Sequence, residues 1–134
     1  MTEADIDSVM ALGGDLISRE DLLAFGLGAP FDVSYVAEAE GHIVGFTFSR
    51  IQYVGIPLVK ICVIGGIVVE YEYRRHGIGN KLVEEIFKHC HNIGVDTVRS
   101  LVEDGDIYLK QFCGRLGFRH STITNYDITL YRRS

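Results

Sequence analysis

The sequence predicts an α/β (α+β) fold: a mixed, mostly antiparallel twisted sheet of about six strands, with helices on both faces. Three observations predict it. Residues 58–69 form a nearly continuous apolar run, as in a central strand, and a short glycine-bearing turn leads from it into an amphipathic helix. Upstream, two strand-like segments flank the Glu40-Gly41 step, a hairpin signal. Downstream, a second helical stripe stops at Gly117-Phe118 and is followed by two further strand-like runs.

Taken in order, residues 5–12 read as a short helix closed by Gly13-Gly14. Ser18 is placed to cap a second helix over 19–25, stopped by Gly26 and Gly28, and Gly28-Ala29-Pro30 is a loop. Residues 34–39 and 42–52 form the hairpin strands; in the second, Val44, Phe46 and Phe48 alternate with Gly45, Thr47 and Ser49. Gly55-Ile56-Pro57 breaks the run, and Gly65-Gly66 inside the central strand marks a bulge or a close backbone approach. The helix after the turn carries Ile78, Leu82, Val83, Ile86, Phe87 and Cys90 on one face and ends at Gly94. Residues 96–102 read as a strand, and 106–116 as a helix with Leu109, Phe112, Cys113 and Leu116 along its stripe. The closing strands fall at 119–122 and 126–131.

A chain of 134 residues without linker or repeat is expected to be a single domain over 1–134. Its net charge of −5 argues against nucleic acid as a partner, since counterion displacement needs a basic surface. Glycines and charges interrupt every apolar run, so no membrane partner is expected. The acidic start, Met1-Thr2-Glu3-Ala4-Asp5, is unlike an export leader. Cys62, Cys90 and Cys113 are widely spaced and odd in number, which suits a reducing cytoplasmic location rather than a disulfide framework. No metal is expected: in His89-Cys90-His91, side chains two apart on a helix point nearly opposite ways.

The most informative residues are Arg74-Arg75-His76-Gly77-Ile78-Gly79. Glycine permits close backbone approach to a ligand. The first amides of a helix have no intrahelical acceptors and, with the helix dipole, favour an anion. Arg74 and Arg75 add donors matched to phosphate oxygens. The dinucleotide pattern G-x-G-x-x-G fails at Leu82, and the Gly-Lys-Ser/Thr of a P-loop is absent.

The run Val69-Glu70-Tyr71-Glu72-Tyr73 followed by Arg74-x-x-Gly77-x-Gly79 resembles the acyl-CoA-binding motif of the GNAT superfamily of N-acetyltransferases. The hairpin from Val36 to Gly45 and the sequence Leu116-Gly117-Phe118 resemble further parts of that family, so the likeness covers almost the whole chain. The resemblance implies acetyl-CoA as co-substrate and transfer of its acetyl group to a primary amine by direct attack in a ternary complex. It implies that Ile67, Val68 and Val69 face the pantetheine arm and thioester. It also implies that Arg74, Arg75, His76, Gly77, Ile78, Gly79 and Asn80 wrap the pyrophosphate. The expected acceptor is a small-molecule or peptide amine, and a homodimer is in keeping with the family.

Three features depart from the family pattern. The family's first strand normally precedes the opening helix, and this chain begins almost at that helix, so that strand is expected to be missing, very short or supplied otherwise. Cys113 stands where many members carry a proton-donating tyrosine, and the two usual glutamate base positions are Leu101 and Val63. The catalytic candidates are therefore Glu70 as a base acting through water and Cys113 as a proton donor. Glu70 and Glu72 follow one central strand and Glu103, Asp104 and Asp106 the next, so five carboxylates would surround one mouth if those strands are neighbours. The alternative reading is a catalytically weak acyl-CoA-binding sensor or regulatory module.

Overall fold

The computed structural model describes residues 1–14, 17–26 and 29–130. They fall into two compact units, Met1–Leu101 and Val102–Ser134. The first unit holds helices α1 (Ile6–Gly13) and α2 (Arg19–Phe25), strands β1 (Val36–Ala39), β2 (His42–Val54) and β3 (Val59–Val69), helix α3 (Ile78–Asn92) and strand β4 (Val98–Ser100). The second holds α4 (Ile107–Arg115).

Local chemistry explains most boundaries. Ser18 caps α2 by accepting from the Asp21 amide at 3.1 Å, and Gly26 closes the helix in the left-handed region. Gly28 lies outside the described residues. The β1–β2 turn uses Glu40 at φ 52° and Gly41 at φ 82°, the two positive angles of a tight hairpin turn. Gly94 and Gly117, both at positive φ, follow α3 and α4.

The sheet has the order β1-β2-β3-β4, antiparallel except for the parallel β3–β4 pair. Successive β2 residues serve opposite faces. Phe46 joins Ile6, Val9 and Leu22 in the core beneath α1 and α2, while Gly45 faces Ile78 and Leu82 of α3. Helices thus cover both faces of this sheet.

Two expectations need correction. The sheet has four strands, not about six, because residues 118–130 form no strand. In that segment Tyr126, Ile128 and Leu130 keep the alternation of a strand yet are 93%, 84% and 85% exposed. Alternation shows that a segment suits a pleated, half-buried surface; it does not by itself form the strand. Residue 131 lies outside the described residues. The nearly continuous apolar run, read above as a central strand, is fully buried only over 61–64 and opens from Gly65 onward.

Candidate active site

The opening of β3 begins at a bulge. Phe48 pairs with Gly66 and Ser49 with Ile64, leaving Gly65 as the extra residue on β3. On its other side β3 pairs with β4 only through Cys62, Val63 and Ile64, and the last rung is Leu101 N–H to Ile64 O at 3.2 Å. Within this unit, residues 65–69 therefore have β2 along one edge and no strand along the other. Alternate residues of that free edge offer N–H and C=O groups to any extended molecule laid beside them. Ile67, Val68 and Val69 lie on this stretch, with Val68 packed on the Phe46 core.

The chain then turns into α3 through residues 70–77. The Glu70 amide donates to Val44 O at 2.7 Å, and the amides of Tyr73 and Arg74 donate to Glu70 O and Tyr71 O, winding one short turn. Arg75 at φ 68° and Gly77 at φ 77° are both left-handed. Left-handed residues within such a turn gather successive amides into a concave nest suited to an anion. Gly77 is the N-cap of α3 and carries no side-chain cap, and the first turn has no acidic residue. The first helical bond is Lys81 N–H to Gly77 O at 3.0 Å, so the amides of Ile78, Gly79 and Asn80 precede the ladder.

Arg74 donates from Nε to Val69 O at 3.1 Å and lies over the Tyr71 ring at 5.4 Å, holding its guanidinium at the junction of strand and loop. His76 Nδ1 donates to Arg74 O at 3.0 Å, bridging the left-handed Arg75. The whole predicted set from Arg74 to Asn80 is thus gathered at the loop and the first turn of α3. Glycine at 45 allows this helix start to lie against the sheet, since a Cβ there would meet Ile78 Cγ2 at 3.3 Å and Leu82 Cδ1 at 3.4 Å.

The catalytic candidates sit differently. The Glu70 carboxylate lies 3.6 Å from His42 Nε2 at the start of β2, the side of β3 away from β4. Cys113 is a buried thiol of α4 in the second unit. Of the five carboxylates, Glu70 and Glu72 belong to the first unit and Glu103, Asp104 and Asp106 to the second. Asp106 caps α4 by accepting from Leu109 N–H at 2.9 Å. Asp104 accepts from Lys110 Nζ at 2.7 Å, and that bond holds its carboxyl below the usual value.

Sequence reasoning missed a cluster beside the loop. Tyr73 donates its hydroxyl to Glu40 Oε2 at 3.1 Å, meets His42 edge-on at 5.8 Å and lies 6.5 Å from the His76 ring. Partial burial, then the Glu40 bond and the charges of Glu40, Glu70 and Glu72, raise the phenol above its ordinary value and keep it a donor. No local motif signals this contact. Antiparallel pairing alone would, because Gly45 opposite Val69 puts the β1–β2 turn beside the end of β3.

The acetyltransferase (GNAT) family matches residues 7–118. The chain belongs to this family. A GNAT acetyltransferase draws its acetyl group from acetyl-CoA, and this chain is an acetyl-CoA-dependent N-acetyltransferase. Among curated proteins no sequence matches. Among solved structures, this GNAT chain is similar in fold to the aminoglycoside 6'-N-acetyltransferase AAC(6')-IG from Acinetobacter haemolyticus, with a TM-score of 0.83, 13% identity and coverage of 98% of this chain and 97% of that one. AAC(6')-Iy in complex with CoA gives a TM-score of 0.80 at 20% identity, covering 99% and 91% of the two chains. The aminoglycoside acetyltransferase meta-AAC0020 from an uncultured soil metagenomic sample, in complex with sisomicin, gives 0.80 at 20% identity, covering 98% and 93%.

Proposed function

We propose that this N-acetyltransferase joins acetyl-CoA and a small-molecule amine in one ternary complex, the acceptor being a compound with several cationic amines. The observation that carries the reading is the continuity of two features. Within the first unit, a β3 edge over 65–69 with no strand beside it leads within one turn to a glycine-lined helix start without a side-chain cap. The first matches the amide-rich arm of a pantetheine and the second its diphosphate. Arg74, Arg75, His76, Gly77, Ile78, Gly79 and Asn80 hold the diphosphate, and Ile67, Val68 and Val69 hold the arm.

In the reaction the neutral amine nitrogen attacks the thioester carbonyl carbon. The tetrahedral intermediate collapses with cleavage of the C–S bond, the amine loses a proton, and the thiolate of CoA takes one up. Two preorganised effects supply most of the acceleration: holding the reactants together, and amide polarisation of the carbonyl by the free edge of β3. Proton transfer adds roughly 10²–10⁴-fold. Glu70, held by His42, is assigned to the amine proton through water, and Cys113 to the departing thiolate. Unchanged kcat in Glu70→Gln would remove Glu70 from the reaction, and unchanged kcat in Cys113→Ala would do the same for Cys113.

Support for a polycationic acceptor comes from the net charge of −5 and from fold neighbours that are aminoglycoside acetyltransferases, one of them bound to sisomicin. The test is thiol release from acetyl-CoA against a panel of aminoglycosides, polyamines, lysine peptides and peptide N-termini. Turnover is expected with the multiply charged amines. Arg74→Ala should raise the KM for acetyl-CoA about tenfold or more through loss of a charge-assisted contact. Acetyl-CoA that neither bound by calorimetry nor released thiol with any amine would overturn the proposal.

A further inference from the structure

The loop that forms the anion nest adopts a conformation it does not favour by itself. Arg75 is a non-glycine residue at φ 68°, a backbone state that persists only where its surroundings hold it. The support can be traced outward. His76 bonds Arg74 O across Arg75, Tyr73 lies beside His76, and Tyr73 in turn donates to Glu40 in the β1–β2 turn. A second link runs from Glu70, at the root of the loop, to His42, at the other end of the same turn. The turn itself is a tight hairpin with Glu40 and Gly41 at positive φ, flanked by paired strands.

We infer that the β1–β2 turn positions the cofactor loop, with Tyr73 as the positioning residue that transmits its hold through Glu40. The inference rests on the proposed seat of the diphosphate and adds to it a part of the sheet that touches no phosphate. Glu40 and His42 lie two apart on the turn and grip the loop at two places, its root and its middle. A loop fixed at both places presents the amides of 75–80 in one arrangement. A loop fixed only at its root must be ordered by the ligand, and affinity falls by the cost of that ordering.

The experiment is calorimetric titration of acetyl-CoA into the full chain and four variants: Tyr73→Phe, Glu40→Ala, Glu40→Gln and the double variant Tyr73→Phe/Glu40→Ala. Tyr73→Phe and Glu40→Ala are each expected to raise Kd by about three- to tenfold, the range for one hydrogen bond. The double variant should be no worse than either single one, because both remove the same contact. Glu40→Gln, whose amide oxygen still accepts from the phenol, should bind as the unaltered chain does. In turnover, the KM for acetyl-CoA should rise while kcat and the amine KM stay unchanged, and the melting midpoint of the ligand-free protein should fall by no more than about 2–5 °C, the same fold-change read as stability. A Kd within twofold of the unaltered chain in both single variants would overturn the inference. So would additive losses, or a fall in melting midpoint well beyond about 5 °C, which one hydrogen bond does not explain. Failure of the unaltered chain to bind acetyl-CoA is a separate result that refutes the diphosphate seat and this inference with it.

Discussion

Replacing Gly45 by alanine tests how the helix start is held against the sheet. The backbone at Gly45 has no positive φ, so conformational freedom is not the reason for glycine there. Space is the reason. A Cβ would stand 3.1 Å from Val68 O, 3.3 Å from Ile78 Cγ2 and 3.4 Å from Leu82 Cδ1. The carbonyl belongs to the β3 ladder and cannot retreat cheaply, so the helix side chains must move by a few tenths of an ångström. Overpacking of this kind costs about 1–3 kcal/mol, and the lower entropy of the unfolded alanine chain returns about 0.4–1 kcal/mol. Taking the middle of each range, the net is roughly 1.3 kcal/mol, a fall in melting midpoint of about 4–5 °C for a domain of this size. Because Ile78 opens α3, the same displacement shifts the anion nest away from the β3 edge, and acetyl-CoA affinity should drop as well. Scanning calorimetry with and without acetyl-CoA reads both effects. A midpoint within about 1 °C of the unaltered chain would show that the helix is not seated through this contact.

Three further outcomes are expected. Gly77→Ala places a Cβ on a residue at φ 77° and should cost about 1 kcal/mol of stability while weakening the thermal shift given by acetyl-CoA; Gly77→Asn should lose less stability, and equal losses would argue against backbone strain. Ser18→Ala removes the acceptor for the Asp21 amide and should destabilise by about 1 kcal/mol in urea denaturation, with Ser18→Asn restoring most of it. Burial, with Cys90 adding to it, pushes the Cys62 thiol from an ordinary 9.0 to about 12. Its folded value lies above its unfolded one, so its contribution is complete below pH 9 and is lost as pH rises toward 12. Cys62→Ala should show a shallower alkaline loss, and identical slopes would contradict that assignment.

Much of this protein is written locally. Ser18 at a helix start, Gly26, Gly94 and Gly117 after helix ends, Glu40-Gly41 at a hairpin and Gly65-Gly66 at a bulge each announce a conformation through their own chemistry. The anion nest belongs to the same class, because a glycine-bearing strand-to-helix turn with two arginines depends on neighbours within a few residues. Those features follow from steric limits and hydrogen-bond valence, which act over one or two turns of chain. Other properties required the assembled sheet. That β3 loses its partner after Ile64 depends on where β4 stops, since the run 58–69 is apolar on both sides of that point. The alternating run near 126–130 reads as a strand, yet residues 118–130 form none, because alternation alone does not supply the cross-strand contacts that fix a strand. Glu70 meets His42, and Tyr73 meets Glu40, across 28 and 33 residues of sequence, a proximity created only when the hairpin register brings Gly45 opposite Val69. Contacts of that span are set by how the strands pair, and no local pattern of residues encodes them.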